Sequence, residues 1–322
     1  MTTLHTIILN WRSADMTLDA ATAAVTAMQG IDGAITIVDN DSGDGSLERM
    51  TAGVAARAGQ PGWDRVAVVP SGRNGGFGAG NNFAIRRGLP GGGGRPDLTY
   101  LLNSDAMPRA DAIRALIDHL DRHPRAGIAC SRLQGPDGVP HSSAFRFPSA
   151  AGEFEAAART GPISRLLRRA VVAMPQPEGS MPVDWSAGAS MMIRQDVLDQ
   201  VGLFDETFFL YFEETDLCRR AAAAGWQTHY VAESLVVHIG SASTGMKEWS
   251  RVPDYWYDSR RHYFSKHHGR GGAAAATVAH VAGGALWRLR CALTRRPVDV
   301  PPDHLRRLVA HAMRPHLRNR PE

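Results

Sequence analysis

Five short runs of β-branched and aliphatic residues, each followed by a segment of helical periodicity, constrain this chain more than any other feature. They are TIILNW at 6–11, AITIVDN at 34–40, RVAVVP at 65–70, LTYLLN at 98–103 and AGIACSRL at 126–133. The runs are apolar throughout rather than alternating, as expected of strands covered on both faces. The intervening segments carry apolar residues at helical spacing: Leu18, Ala21, Val25 and Met28, then Leu47, Met50 and Val54. A short helix is expected over Asn82–Arg87 and another over 109–122. Strand–helix alternation of this kind predicts an α/β chain with a mostly parallel central sheet and helices on both faces. VDWSAGASMMIR (183–194), a helix near 195–201 and HYVAESLVVHIG (229–240) add further material. The sheet signal stops near 245.

The domain reading is therefore 1–245 for the α/β part and 246–322 for a basic helical extension. Residues 148–182, rich in Ala, Arg and Pro, read as a mobile insertion, and PGGGGRP at 90–96 as a loop. Three scattered cysteines, Cys130, Cys218 and Cys291, form no disulfide or zinc pattern and suit a reducing compartment. The opening residues read as a first strand rather than a signal peptide, and no run is long enough to span a membrane. A cytoplasmic protein is expected.

In parallel sheets ligands gather at the carboxyl ends of the strands, and here the polar clusters fall at those ends. IVDNDSGDGS (37–46) places Asp39, Asp41 and Asp44 after a buried strand. An Asx-rich turn capped by Ser46 accounts for Asp44 but leaves Asp39 and Asp41 free for a ribose hydroxyl or a base N–H. SGRNGGFGAGNN (71–82) fails the dinucleotide pattern, because Asn81 stands where a third glycine is required, and it lacks a phosphate-loop lysine. Its glycines still allow close backbone approach, and Arg73 with a helix N-terminus near Asn81 would favour an anion.

LLNSDA (101–106) ends an apolar strand in Asn103-Ser104-Asp105. Asp105 either caps the next helix or, with Asn103 on the same face of the strand, offers oxygens to Mg²⁺ or Mn²⁺. FDETFFLYFEETDLCRRAAAAGW (204–226) sets Glu213, Glu214, Thr215 and Asp216 among five aromatics at a helix start, with Gly225 as C-cap. Capping explains Thr215 and Asp216. An ionised carboxylate at a helix N-terminus would also suit a general base, which gives Glu213 and Glu214 a task. His238 closes the apolar run VVH; it is either a core histidine or a partner of Asp105 on a metal.

In this order, VDNDSGDGS, NGGFGAGNN, LLNSDA, GASMMIR, FDETFFLYFEETDLCRR and the histidine resemble the family 2 glycosyltransferases, inverting enzymes of the GT-A fold, and within them the rhamnosyltransferase-like branch. The resemblance covers residues 3–245. It implies that Asp39 and Asp41 hold the base and ribose of a nucleoside-diphosphate sugar, together with Asn10, Arg73, Asn74, Gly75, Asn81, Asn103, Ser104 and Gly188. It places the metal on Asp105 and His238, although Asn103 departs from the family's Asp-x-Asp-type motif. Glu214 falls at the catalytic base, with Glu213 or Asp216 as alternatives because glutamate replaces the more usual aspartate. The implied reaction is a single displacement, possible donors including dTDP-rhamnose, onto a hydroxyl of a saccharide or a polyprenyl-diphosphate-linked saccharide in envelope polysaccharide synthesis.

Net charge is +4, and residues 286–322 hold nine arginines against three acids. ALWRLRCALTRR (285–296) interleaves leucines, Trp287 and arginines, as in a helix lying on an anionic membrane, here the inner face of the plasma membrane. Nucleic-acid binding would explain this tail but nothing in the first 245 residues. A sugar-nucleotide nucleotidyltransferase would carry a lysine-bearing glycine-rich signature near the N-terminus, which IILNWRSADM lacks. A non-catalytic nucleotide-sugar-binding protein is the other alternative.

Overall fold

The computed structural model describes residues 2–240 and 250–314. In chain order the elements are β1 (Thr3–Asn10), α1 (Ala14–Ala27), β2 (Asp32–Asp39), α2 (Ser46–Ala55), β3 (Val66–Pro70), α3 (Gly76–Arg87), β4 (Leu98–Asn103), β5 (Ala106–Pro108), α4 (Ala112–Arg122), β6 (Ala126–Gln134) and β7 (Pro140–His141). Then follow α5 (Ala150–Ala158), α6 (Gly161–Leu166), β8 (Met181–Val183), β9 (Ser190–Arg194), α7 (Gln195–Val201), α8 (Glu213–Ala223), β10 (Gln227–His238), α9 (Asp254–Thr294) and α10 (His304–Met313). The chain forms two compact units. One comprises 1–145, 173–209 and 213–247; the other comprises 146–172, 210–212 and 248–322. The segment 146–172 thus belongs with the C-terminal helices.

The first unit holds one sheet in the order β3-β2-β1-β4-β9-β6-β10-β5. Strands β3, β2, β1 and β4 pair in parallel with one another, as do β6 and β10. Strand β9 runs antiparallel between β4 and β6. Four of the five apolar runs are buried as their composition requires, while β3, at the edge of the sheet, is only partly covered. Leu4 and Ile8 join an apolar cluster with Ala21 and Val25 of α1 and Ile113 and Leu116 of α4. Ile7, from the alternate position and so on the opposite face, is equally buried. All three cysteines are buried thiols.

Two local readings change. Helix α3 begins at Gly76, six residues before the expected start, so the glycine-rich segment is itself the first turns of the helix. In α2 the N-cap position falls on Gly45 in the left-handed region, with Ser46 the first helical residue and Asp44 accepting its N–H.

In the second unit, α9 is broken at Gly269, whose φ of 68° reverses the chain. The limbs then lie close enough for Arg260 to reach Thr277. Gly283 permits the approach of α5: a Cβ there would stand 2.5 Å from the Phe154 carbonyl oxygen. Buried Arg260 donates to Glu153 through Nε and Nη2, and His280 also contacts that carboxylate. Burial alone would raise the Glu153 pKa, but His280 and Arg260 outweigh it and hold the carboxyl below the usual range. A buried cation persists only with such partners. Among the described residues no helix is long and apolar enough to cross a membrane.

Candidate active site

The parallel register lines up the strand ends. Asn10 of β1 pairs with Asp39 of β2, which pairs with Pro70 of β3, while Leu9 pairs with Asn103 of β4. The polar residues that follow each apolar run therefore emerge along one edge.

Asn10 is fully buried and its carboxamide is saturated. Its Nδ2 donates to Asp39 Oδ1 (2.8 Å) and Ser42 Oγ (3.1 Å), and its Oδ1 accepts from the Ser13 N–H and hydroxyl and from Thr17. No hydrogen remains for a ligand, so Asn10 orients Asp39. Asp39 also accepts from the Ser42 hydroxyl at 2.6 Å and, through Oδ2, from the Ser42 N–H at 3.1 Å. A carboxylate has about four acceptor positions, which leaves capacity on Oδ2. Asp41 is exposed, with φ at 58°. Asn40 is a residue that sequence reasoning missed. It ties the end of β2 to the glycine-rich segment by donating to Asn74 Oδ1 and the Gly76 carbonyl. Its position between Asp39 and Asp41 in the Asp-Asn-Asp turn was the available signal.

The expected anion seat near Asn81 is not at a helix N-terminus. Asn81 lies inside α3, donating to the Phe77 carbonyl one turn back. At the true N-terminus the Phe77 N–H is taken by the Phe209 carbonyl, and a Cβ at Gly76 would overlap that same oxygen at 1.8 Å. Gly76 has φ +85°. Gly75 packs on Ala79, and Asn74 accepts from the Gly76 N–H. Arg73 is mostly exposed and pairs with Glu206, which Arg86 and Asn82 also hold.

Asp105 does not cap a helix, since α4 starts only at Ala112. Instead Asp105 Oδ1 faces His238 Nε2 at 3.2 Å, and Oδ2 accepts the Gly240 N–H at 3.1 Å. Pairing of β5 with β10 creates this contact, with Ala106 opposite His238. Burial opposes ionisation of Asp105, yet His238 and the Gly240 N–H prevail and keep its carboxyl below the usual range. The His141 ring lies edge-on to that of His238, with centroids 6.1 Å apart. Ser104 is buried and its hydroxyl meets that of Ser13.

The antiparallel strand β9 brings Gly188-Ala189 to this edge, where the Ala189 carbonyl accepts the Asn103 N–H at 3.0 Å. Gly188 sits between Phe77 and Glu214; its missing side chain would stand 3.1 Å from the Phe77 ring and 3.8 Å from Glu214 Cβ. The chain enters α8 through Tyr211 and Phe212, both with φ near 70°. Two consecutive non-glycine residues there cost on the order of 1–3 kcal/mol each, a strain typical of functional sites. Glu213 and Glu214 follow, and neither Oε2 has a hydrogen-bond partner. Burial raises both acids. Glu214 is pushed up to about 7, with the backbone N–H groups of Thr215 and Gly188 opposing the rise. Glu213 goes well above the carboxylate range, because burial is joined by repulsion from Glu214. Burial thus favours the neutral form of both carboxyls, and repulsion from Glu214 adds to it at Glu213. Asp216 is fully buried and accepts from Arg220 Nε at 2.8 Å. The same guanidinium gathers the Val201, Gly202 and Leu203 carbonyls after α7. Asp216 thus orients an arginine that closes α7.

A sequence profile described as "Glycosyltransferase like family 2" matches residues 7–265. The chain belongs to this glycosyltransferase family. It is 32% identical over 219 residues to the N-acetylglucosaminyl-diphospho-decaprenol L-rhamnosyltransferase of Mycobacterium tuberculosis, covering 66% of this chain and 68% of that protein. It is 30% identical over 159 residues to the low-salt glycan biosynthesis hexosyltransferase Agl10 of Haloferax volcanii, covering 49% and 47%. Among solved structures, the mannosyltransferase PcManGT from Pyrobaculum calidifontis, in complex with GDP-Man and Mn²⁺, superposes with TM-score 0.56 at 14% identity, over 96% of this chain and 85% of that one. S. aureus TarS residues 1–349 with UDP-GlcNAc gives 0.56 at 13% identity, over 97% and 79%. These likenesses show the GT-A fold. This glycosyltransferase has the mixed α/β sheet and C-terminal helices expected of it.

Among the described residues no group of three or more His, Cys, Asp or Glu forms a metal cage. Asp105 and His238 bring one carboxylate and one imidazole together. A divalent cation held there would need its remaining ligands from phosphate oxygens and water.

Proposed function

We propose that this glycosyltransferase moves rhamnose, with inversion, from dTDP-rhamnose to a hydroxyl of a polyprenyl-diphosphate-linked saccharide during envelope polysaccharide synthesis. The Mycobacterium relative is named for the same kind of sugar and a lipid-diphosphate acceptor. The observation that carries the chemistry is the Glu213–Glu214 pair, which keeps one carboxyl near neutrality beside Gly188. Glu214 takes the proton of the acceptor hydroxyl, and that oxygen bonds to the anomeric carbon. The bond from this carbon to the diphosphate breaks, and its electron pair leaves with the nucleoside diphosphate. Burial and repulsion from Glu214 both disfavour a second negative charge on Glu213 beside the base. Asp39, set by Asn10 and Ser42, and the exposed Asp41 receive the nucleoside, while the backbone around Asn74-Gly75 and Asn103-Ser104 borders the sugar-phosphate. Asp105 and His238 would hold Mg²⁺ or Mn²⁺, which would neutralise charge on the leaving diphosphate. The reaction takes place at the cytoplasmic face of the membrane, to which the basic 285–296 segment draws the protein.

The test is transfer from a panel of nucleotide sugars to a polyprenyl-diphosphate N-acetylglucosamine acceptor, read by mass spectrometry with and without Mn²⁺. A deoxyhexose mass increment from dTDP-rhamnose supports the reading. Transfer only from a different donor overturns the rhamnose assignment, and no binding of any nucleotide sugar overturns the donor site.

A further inference from the structure

The second unit contains a feature that sugar transfer does not use. The two limbs of α9 and the end of α10 enclose a groove of about 710 Å³. Its walls include Phe264, Val278, Val281, Val309 and Met313, with Ala273, Ala274, Ala282 and Ala285 keeping the floor open. The cationic lining comes from Arg260, Arg261, Arg270 and Arg314, and no acid is among the described lining residues. Arg260 is committed to Glu153, and Arg261 to the His311 and Arg314 carbonyls that end α10. Arg270 and Arg314 stand exposed at the rim.

The apolar surface does not stop at the groove. Val278 is 68% exposed and Met313 79%, values unusual for large apolar side chains. Leu286, Leu289 and Leu293 continue the strip along α9 at spacings of three and four residues and are also exposed. Arg290, Arg295 and Arg296 border it. A continuous apolar strip with a cationic border and an apolar cleft at one end matches a bilayer made of anionic phosphate-headed lipids.

We infer that the α9–α10 groove admits an acyl chain of an anionic membrane phospholipid, whose phosphate lies against Arg270 and Arg314, and so anchors the enzyme on the bilayer. This deepens the membrane reading of the basic tail and rests on it, but not on the donor or acceptor assignment. A cleft of this volume is within the usual range for small-molecule sites. The chain inserts between Val278 and Met313 while the Leu289–Leu293 strip rests on the surface.

The experiment is co-sedimentation of the full chain with vesicles of phosphatidylcholine alone, with phosphatidylglycerol added, and with a polyprenyl phosphate added. The variants are Val278→Glu/Met313→Glu in the groove, Arg270→Glu at its rim and Leu289→Glu/Leu293→Glu on the strip. All four apolar positions are exposed, so an unchanged thermal midpoint shows that the fold survives. A second arm titrates short-chain dihexanoyl phosphatidylglycerol below its micelle concentration. The inference expects saturable binding of the short lipid, lost in the groove variant, and a drop of at least tenfold in partition to phosphatidylglycerol vesicles for both groove and rim variants. If only the strip variant loses vesicle binding, the groove assignment is overturned and the tail reading stands. If the wild-type protein ignores phosphatidylglycerol vesicles, both fall. If it responds only to the polyprenyl phosphate, the groove belongs to an acceptor lipid and the phospholipid assignment is overturned. None of these outcomes depends on donor turnover, so loss of the transferase reading is seen separately.

Discussion

Glu213 and Glu214 are consecutive, and each leaves one carboxylate oxygen buried without a hydrogen-bond partner. Burial raises both, Glu214 to about 7, and repulsion from Glu214 pushes Glu213 well above the usual carboxylate range.

The rate of transfer should follow that titration. A base acts in its ionised form, so kcat/KM is expected to rise with pH through about 7 and level off above it. Glu214→Gln should lower kcat about 10²–10⁴-fold while donor binding persists. A pH–rate profile with no inflection between 6 and 8 would remove Glu214 from the base position.

Stability should move in the opposite sense. A carboxyl whose folded pKa is raised binds its proton more tightly in the folded state than in the unfolded chain. Stability is therefore full below the unfolded carboxylate range and falls as pH rises through it toward about 7. Glu213→Gln should flatten this decline, measured as urea midpoints at pH 5 and pH 8. An equal decline in wild type and variant would show that Glu213 is not the proton holder.

Asp105→Ala and His238→Ala should each abolish any Mn²⁺-dependent thermal shift with nucleoside diphosphate. They should cost about 10²-fold or more in transfer, since charge stabilisation by a cation is worth several kcal/mol. Retention of the full metal-dependent shift in Asp105→Ala would place the cation elsewhere.

Gly76→Ala tests the entrance to α3. The new methyl would collide with the Phe209 carbonyl in a left-handed backbone, and overpacking of this kind costs about 1–3 kcal/mol. Gly45→Ala, where a Cβ meets nothing, should lose only its conformational component of about 1 kcal/mol. Differential scanning calorimetry of the two variants decides whether the collision matters.

Arg220→Ala should be more damaging than either glycine change. It removes the Arg220 partner of buried Asp216 and frees three carbonyls at the end of α7. Each hydrogen bond to a charged group contributes about 1.5–3 kcal/mol. A loss under about 1 kcal/mol in chemical denaturation would show that water replaces the arginine.

Much of this was legible in the chain itself, for a physical reason. Uniformly apolar β-branched runs must be buried on both faces, so TIILNW, AITIVDN and LTYLLN declared a covered parallel sheet. The polar residues ending each run then had to lie along one edge, which made Asp39 and Asp105 candidates, while Glu213 and Glu214 stood out only by the aromatics around a helix start. Local signals fared worse where distant chain decides the outcome. The start of α3 moved to Gly76 because the Phe209 carbonyl, far along the chain, takes the first helical N–H. The side chain of Asn10 turned inward to hold Asp39, since its five hydrogen bonds run to Asp39 at the end of β2, Ser42 in the loop beyond it, and Ser13 and Thr17 at the start of α1. The direction of β9 and the grouping of 146–172 with α9 depend on contacts between residues remote in sequence, which periodicity does not record. The sequence by itself determined most of the strands and the edge along which their polar ends lie. Only the tertiary structure decided how far burial favours the neutral forms of Glu213 and Glu214, because desolvation and repulsion arise from groups that folding brings together.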